Sequence, residues 1–159
     1  MDPPSTLSLR LARAADAPVL AEMSRRLIET GLAWRYTPRR MASLIGNADT
    51  IALVAHDATH LLGFAVMQFG DEQAHLVLLC VQTPHQRRGI GRSLTEWLLG
   101  SARVAGIASI GLELRADNAA ALAFYRGLGF AETELVPAYY DGQIPAQRMT
   151  LRLRAGSVD

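Results

Sequence analysis

A short stretch in the middle of the chain reads Gln86-Arg87-Arg88-Gly89-Ile90-Gly91. It separates an apolar run typical of a buried strand from a segment with helical periodicity, and its two glycines let the backbone turn tightly and approach a ligand. The first amides of a helix have no partner inside the helix, so they point outward as donors and, with the helix dipole, favour anions. The stretch is therefore typical of a pyrophosphate site, and Arg87, Arg88 and Arg92 add charge for further phosphates.

Taken alone, this glycine pair also fits an ordinary helix start with solvated arginines, and both interpretations stay open at this point. Two other phosphate motifs are excluded. The stretch does not end in Gly-Lys-Ser or Gly-Lys-Thr, so it is not a P-loop. The dinucleotide-binding fingerprint needs a small residue three positions after Gly91, where this chain has Leu94.

Apolar periodicity and turn residues on either side of this stretch predict a mixed α/β domain. Predicted strands cover residues 7–13, 50–56, 61–69, 74–82, 108–114, 130–135 and 147–154. Predicted helices run from Asp16 to Gly31, from Thr37-Pro38 to Gly46, from Gly91 to Gly106 and from Asp117 or Asn118 to Arg126. The resulting order is β-α-α-β-β-β-α-β-α-β-β, with an irregular stretch at 136–146, and it lacks the strict alternation of a doubly wound sheet.

Two separate segments of the chain resemble the signatures of one family, the GNAT superfamily of N-acetyltransferases. The pattern Gln-x-x-Gly-x-Gly, after an apolar strand ending in Val81, is similar to the acetyl-CoA motif of that family. Residues 112–130 are similar to its second signature, a strand followed by Asn118 at a helix start, then Tyr125 and Gly129-Phe130. The order of elements also fits over most of the chain.

The closest resemblance within this family is to the bacterial N-terminal acetyltransferases of ribosomal proteins. Their Glu-to-Tyr spacing appears here between Glu113 and Tyr125, and Tyr139-Tyr140 resembles their paired tyrosines. Where those proteins have a Pro-Trp pair between the first two helices, this chain has Ala33-Trp34-Arg35. The resemblance implies the GNAT fold, a central, mixed, mostly antiparallel, twisted sheet with helices on both faces, and acetyl-CoA as co-substrate.

The resemblance also assigns residues to acetyl-CoA. In this family the strand before the motif splays away from its neighbour and pairs with the pantetheine arm, while the amides of the glycine turn hold the pyrophosphate. An Asn at the start of the later helix hydrogen-bonds the pantetheine or holds its loop, and a Tyr lies near the sulfur. The cofactor-binding residues implied in this chain are Leu79, Cys80, Val81, Gln86, Arg87, Arg88, Gly89, Ile90, Gly91, Arg92, Asn118 and Tyr125.

The chemistry of acetyl transfer to an amine explains why these residue types are needed. An alkyl amine has a pKa of about 10, so it arrives protonated and a base must take a proton before it attacks the thioester. Glu113 is the candidate base, and its place among apolar strand residues is expected to raise its pKa. An amide N–H near Leu79 or Cys80 is a candidate donor to the oxyanion, and Tyr125 is the candidate acid for the leaving thiolate.

Each of these residues also has a purely structural interpretation. Glu113 equally fits a strand-end carboxylate bonded by an arginine, and Tyr125 fits a core aromatic of an amphipathic helix. Cys80 invites an acyl-cysteine mechanism, but a lone cysteine in an apolar strand is more often a small core residue, so direct transfer in a ternary complex is expected. No metal site is expected, because metal-ligand spacing is lacking among His56, His60, His75 and His85.

Large aromatic residues in two irregular segments, 31–37 and 136–146, are the candidates for acceptor binding. They are Trp34, Tyr36, Tyr139 and Tyr140. Such rings can bury an alkyl chain or hold a cation, and they equally fit a role in closing the core. Asp141 is a candidate partner for a cationic acceptor and Arg35 for a carboxylate. No feature of the sequence names the acceptor, which is a small-molecule amine or a protein amine.

The bulk properties of the chain narrow the function classes. Its 159 residues, 50% of them apolar, fit one acetyltransferase domain with its core at about 7–154, and the net charge of +1 argues against nucleic acid and membrane partners. The lone cysteine, the lack of a long apolar run and the polar start at 1–6 predict a soluble cytoplasmic protein. A homodimer is left open. So is a non-catalytic acyl-CoA-binding regulatory module, although such a sensor needs neither Glu113 nor Tyr125.

Overall fold

Seven strands and four α-helices form the part of the chain that the computed structural model describes, residues 7–82 and 89–154. Their order is the one that the sequence predicts, with a short 3₁₀ turn at Ala14–Asp16 before the first helix. The elements are β1 (Ser8–Leu11), α1 (Ala17–Leu27), α2 (Pro38–Ile45), β2 (Thr50–His56), β3 (Leu61–Phe69), β4 (Gln73–Val81), α3 (Ile90–Val104), β5 (Ser109–Arg115), α4 (Ala119–Gly127), β6 (Ala131–Tyr140) and β7 (Ile144–Arg152).

These strands join one sheet in the order β1-β2-β3-β4-β5-β7-β6. Every neighbouring pair is antiparallel except β4 and β5, which confirms the predicted mixed, mostly antiparallel sheet. The parallel contact is short, because it pairs only residues 73–75 with residues 109–111. Beyond His75 the two strands part, although β4 runs on to Val81 and β5 to Arg115.

Apolar side chains pack on both faces of this sheet, as predicted. On one face α3 and α4 cover a core that includes Leu94, Leu112 and Tyr125. On the other face α1 and α2 cover a second core that includes Leu20 and Met41. Side chains alternate along a strand, so the polar residues of β5 point away from the α3 core and towards the face that carries α1 and α2.

A bulge in β4 lets this strand contribute to both cores. Val66 of β3 opposes Leu78 and Met67 opposes Leu76, so one residue, Val77, is extra. The bulge moves the buried positions of β4 from the α3 core, which holds Leu76, to the α1–α2 core, which holds Leu78. This explains why β4 reads as a near-continuous apolar run.

The last two strands are longer than the sequence predicts, so the prediction of an irregular stretch at 136–146 is wrong. β6 continues to Tyr140 and β7 starts at Ile144, with a tight turn between them. The alternation that marks a strand is interrupted by Pro137 and by a register shift between Val136 and Tyr140. A proline is tolerated there because β6 is an edge strand. The segment is a bulged hairpin, whereas the connection between α1 and α2 is irregular as predicted.

Candidate active site

A cleft of about 590 Å³ opens where β4 and β5 part. It is bordered by the α1–α2 connection, the tip of the β6–β7 hairpin and the start of α4. The predicted site residues that line it are Tyr36, Leu79, Glu113, Asn118, Tyr125, Tyr139 and Tyr140. Among the residues that the structure describes, the predicted ones outside the lining are Trp34, Cys80, Val81, Gly89, Ile90, Gly91 and Arg92.

The edge of β4 presents backbone groups to this cleft. The N–H of Gln82 donates to the carbonyl of Leu62 on β3 at 2.8 Å, which sets the alternation of hydrogen-bonding directions along β4. The backbone groups of Cys80 therefore face β3, and those of Leu79 face the gap towards β5, where the β4–β5 ladder has already ended. Of the two predicted oxyanion donors, only Leu79 has its N–H directed at the cleft.

Cys80 is a core residue in this structure. Its side chain is buried among α1 and α2, and Sγ lies 3.9 Å from the carbonyl oxygen of Met23. Burial raises the pKa of the Cys80 thiol to about 12, so the nucleophilic thiolate is disfavoured. These observations favour direct transfer over an acyl-cysteine mechanism.

The predicted pyrophosphate turn is described only in its second half, because Gln86, Arg87 and Arg88 lie outside the described residues. Gly89 precedes α3 with φ of 79°, in the left-handed region that favours glycine. The guanidinium of Arg92 donates to Glu96 at 2.8 Å on the exposed surface of α3. Arg92 is thus paired along its own helix rather than directed at the first amides of α3.

Gly91 lies where the end of β4, the first turn of α3 and α4 come together. A Cβ added at this position would lie 3.6 Å from the ring of Phe124 and 3.7 Å from the side chain of Val81. These are ordinary contact distances, so one added methyl group would touch both side chains without displacing them. A larger side chain would therefore press on β4 and α4.

Tyr125 borders the cleft and also packs as a core aromatic. Its side chain is 9% exposed, and its ring makes edge-on contacts with Phe124 and Phe130 at centroid distances of 5.1 and 5.6 Å. Burial raises the pKa of the Tyr125 phenol, so the hydroxyl keeps its proton at neutral pH. Asn118 caps α4, because its side-chain oxygen accepts the N–H of Ala121 at 3.1 Å. The predicted cap of this helix is confirmed, whereas the role of Asn118 towards pantetheine or its loop stays a prediction.

Hydrogen bonds from an imidazole and from a guanidinium hold the carboxylate of Glu113 in place. It accepts hydrogen bonds from Nε2 of His75 on β4 and from Nε of Arg148 on β7, the latter at 3.3 Å. The hydrogen bond from His75 lowers the pKa of the Glu113 carboxyl below its usual range, and the bond from Arg148 adds a smaller effect in the same direction. Burial acts in the opposite direction. The predicted rise in this pKa is wrong, because the apolar neighbours of Glu113 in sequence lie on the other face of β5.

His75 is one residue at this site whose role the sequence analysis did not predict. It pairs with Gly111 in the last rung of the short β4–β5 ladder, which brings its ring to Glu113. The histidines show no metal-ligand spacing in the sequence, and no local pattern links residues that are 38 positions apart. The parallel pairing of β4 with β5 is the signal that places them together.

A buried carboxylate shapes the α1–α2 connection. Glu29 is 6% exposed and accepts the backbone N–H groups of Arg35 and Tyr36 at 2.7 and 3.2 Å, and the Ser24 hydroxyl at 2.8 Å. These bonds fix the loop that carries Tyr36 to the cleft. Glu29 was not singled out from the sequence, since an isolated glutamate carries no pattern.

The α1–α2 connection and the hairpin tip bond to each other. Asp141 accepts the N–H of Ala33 at 2.8 Å and lies 3.6 Å from the guanidinium of Arg35. Arg115 of β5 donates to the carbonyl of Thr30 at 2.8 Å. Arg35 and Asp141, each expected to meet a charged acceptor, are therefore paired with one another.

The four predicted acceptor-binding aromatics separate into two groups. Tyr139 and Tyr140 make an edge-on pair with centroids 4.9 Å apart, and both line the cleft together with Tyr36. Burial raises the pKa of Tyr140 to about 12, so its hydroxyl stays protonated. Trp34 instead lies under the guanidinium of Arg25 on α1, at 5.6 Å, with 38% of its surface exposed.

In residues 7–82 and 89–154, none of the helices is both long and apolar enough to cross a bilayer. No three His, Cys, Asp or Glu side chains in the same ranges lie close enough together to hold a metal ion.

Sequence comparison places the chain in a family. The pattern of the acetyltransferase (GNAT) domain matches residues 19–153, and the chain belongs to that family. Among its relatives, the [ribosomal protein bS18]-alanine N-acetyltransferase of Escherichia coli strain K12 is 39% identical over 94 residues, which cover 57% of this chain and 64% of that protein. The chain thus matches less than two thirds of that relative's length.

Structural comparison confirms the predicted fold. The crystal structure of the ribosomal-protein-S18-alanine N-acetyltransferase from Escherichia coli superposes with a TM-score of 0.84 at 27% identity, covering 97% of this chain and 98% of the other. Arabidopsis thaliana NAA60 in complex with acetyl-CoA has a TM-score of 0.83 at 16% identity, covering 94% of this chain and 100% of the other. The second likeness shows a shared fold.

Proposed function

We propose that this chain transfers an acetyl group from acetyl-CoA to a primary amine, by direct attack within a ternary complex. One observation carries the proposal: β4 and β5 part beside a cleft that is lined by the edge of β4 at Leu79, the buried phenol of Tyr125 and the ionised carboxylate of Glu113. Membership of the GNAT family supports it.

The cleft offers a separate group for each chemical need. Acetyl-CoA would supply the thioester carbonyl that the amine attacks. The backbone at 79–81 and the turn at 86–92 would hold its pantetheine and pyrophosphate parts, with Asn118 fixing the loop beside them. The N–H of Leu79, directed into the gap, is suited to stabilise negative charge on the carbonyl oxygen. Tyr125 would donate its proton to the departing thiolate, and Glu113 would assist the loss of a proton from the amine.

The proposed acceptor is the α-amino group of a peptide or protein. Its support is the likeness to enzymes named for acetylating the alanine of a ribosomal protein, together with Tyr36, Tyr139 and Tyr140 around the cleft. An α-amino group has an ordinary pKa of about 7.7–8.0, so part of it is already neutral at physiological pH. Small amines such as polyamines are the alternative acceptors.

Residues 1–159 are proposed to form one acetyltransferase domain that works in the cytoplasm. The free thiol of Cys80 supports this compartment, because thiols stay reduced there. A homodimer is left open, and sedimentation equilibrium of the purified chain would detect it.

A panel of amines incubated with acetyl-CoA, with release of the CoA thiol followed over time, tests the function. We expect release with a synthetic peptide that begins with alanine and none with the same peptide blocked at its amino terminus. CoA binding without release for any peptide, polyamine or amino acid would favour the alternative, a non-catalytic regulatory module. Absence of CoA binding would contradict both.

A further inference from the structure

The bond between His75 and Glu113 fixes how the imidazole can work. An ionised carboxylate only accepts hydrogen bonds, so Nε2 of His75 carries the hydrogen that Glu113 receives. In the neutral ring, Nδ1 is then the acceptor. Within residues 7–82 and 89–154, no group hydrogen-bonds to Nδ1.

The position of this pair gives it access to solvent on both sides. The His75 side chain is 44% exposed, and His75 and Glu113 line the cleft as well as a second, more open cleft of about 900 Å³. The second cleft lies at the start of β4 and β5, away from α4. Other charged or titratable groups surround the pair. Arg148 on β7 bonds to Glu113 and also to Glu134 on β6. Tyr140 and Glu29 line the first cleft, and Asp71 and Glu72 line the second.

Resting on the proposed function, we propose that His75 accepts the proton of the incoming amine and that Glu113 is a positioning residue that acts through it. Nδ1, the ring nitrogen of His75 that does not bond to Glu113, is an acceptor that can take a proton from an ammonium group. A carboxylate bonded to His75 and Arg148 holds a proton weakly, since both bonds favour its ionised form. In other acyl-transfer enzymes, too, a carboxylate bonds one ring nitrogen of a histidine while the other ring nitrogen accepts a proton.

The protons balance in this scheme. An ammonium group carries three N–H bonds and the amide product carries one, so two protons leave the nitrogen. The first passes to Nδ1 of His75, directly or through a water, which leaves a lone pair to form the C–N bond while the C–S bond breaks. Tyr125 gives its proton to the departing thiolate and regains one as the second proton leaves the nitrogen. His75 returns its proton to solvent through the second cleft.

Kinetics of His75→Gln with an alanine-initiated peptide test the role of the ring. We expect kcat/KM at pH 7 to fall by about 10²–10⁴-fold, the usual contribution of a general base, while CoA affinity measured by calorimetry is unchanged. The loss should shrink above about pH 8, where an α-amine is neutral unaided. His60→Gln, in the exposed β2–β3 turn, is the matched control and should keep wild-type values. A His75→Gln protein with the wild-type pH profile overturns the proposal. If circular dichroism shows that His75→Gln is misfolded, the same measurements are made on His75→Asn.

Nitrogen-15 NMR of the ligand-free protein tests the geometry without relying on activity. In the neutral ring of His75 we expect the hydrogen on Nε2, and this preference should be lost in Glu113→Ala. A neutral ring with its hydrogen on Nδ1 overturns the proposal. Wild-type protein that releases no CoA with any amine overturns the proposed function and the base role with it, whereas active wild type with an unaffected His75→Gln overturns the base role alone.

Discussion

Burial keeps the phenol of Tyr125 protonated. Its raised pKa means that the hydroxyl still carries its proton when a thiolate departs beside it, which a proton donor requires. Tyr125→Phe keeps the ring contacts with Phe124 and Phe130 and removes only that proton. We expect turnover to fall by about 10²–10⁴-fold with CoA affinity unchanged. Steady-state rates and calorimetry check this, and turnover near wild type, where chemistry limits the rate, would return Tyr125 to a packing role.

Ionisation of Glu113 links this site to stability. Its pKa is lowered in the folded state, so the ionised carboxylate stabilises the fold above the ordinary glutamate pKa of about 4.3, and this contribution is lost as pH falls through the folded-state value. Glu113→Gln should therefore be less stable than wild type at pH 7, with the difference closing as pH falls below about 4.3.

Urea unfolding across this pH range is the measurement. Glu96→Gln is the control, because it removes an exposed ion pair with Arg92 that contributes little. A difference between Glu113→Gln and wild type that stays constant with pH would show that packing, rather than charge, is lost.

Single residues also show what the sequence can and cannot reveal. Tyr125 and Asn118 were predictable, because their spacing within one segment matches a family signature. The ionisation of Glu113 was not predictable from the sequence. Its apolar neighbours in sequence point to the opposite face of the strand, and the groups that bond to it come from β4 and β7. His75 was missed for the same reason, as only strand pairing brings it to Glu113.

At the scale of elements, α3 meets the end of β4 through Gly91. A valine there would push its extra methyl groups against Phe124 and Val81 and narrow the space between β4 and α4. Overpacking of this kind costs about 1–3 kcal/mol. Where this cost falls on the arrangement of β4 and α4 that binds CoA, we expect affinity to weaken by about 5- to 150-fold.

Gly100→Val is the matched control, because it lies in the same helix and an added Cβ meets nothing within 4 Å. Calorimetric titration of folded variants with CoA measures the effect. Equal affinities for the two variants would place the cofactor away from this turn.

The hairpin and the α1–α2 connection make a second prediction at this scale. Tyr139 borders the cleft, whereas Trp34 lies against Arg25 outside its lining. Tyr139→Ala should raise the acceptor KM severalfold and leave CoA affinity intact, and Trp34→Ala should change the acceptor KM less. Kinetics with the alanine-initiated peptide check both variants. The reverse ranking would move the acceptor site towards α1.

The hairpin was only half predictable from the sequence. Asp141-Gly142 forms the tight turn, with φ of 51° and 69° and a bond from the N–H of Gln143 to the carbonyl of Tyr140 at 3.0 Å, and this residue pair is typical of such turns. Pro137 and the positive φ of 53° at Ala138 interrupt the alternation before it. An edge strand tolerates the proline and the positive φ, but a sequence pattern interrupted in this way indicates a loop.

At the scale of the whole molecule, the sheet consists of two parts joined by a short ladder. β1 to β4 form one part, and β5, β7 and β6 form the other. The α3 core spans the junction, because it includes Ala65 of β3 and Ile110 of β5 around Leu94 and Leu98 of α3. The fold can therefore leave the strands apart beyond His75 without exposing its core, and the site occupies the gap that results.

A ligand that pairs with β4 in this gap should stabilise the whole chain. At 100 times its Kd, CoA would add about 2.7 kcal/mol to the free energy of unfolding and raise Tm by roughly 5–11 °C for a chain of this size. Amide hydrogen exchange should slow at Leu79, whose N–H faces the gap, and change little at Cys80, whose backbone already pairs with β3. Calorimetric melting and exchange measured by NMR, with and without CoA, give both quantities. A rise in Tm with no slowing at Leu79 would mean that CoA binds elsewhere on the fold, because a ligand paired with β4 must cover that amide.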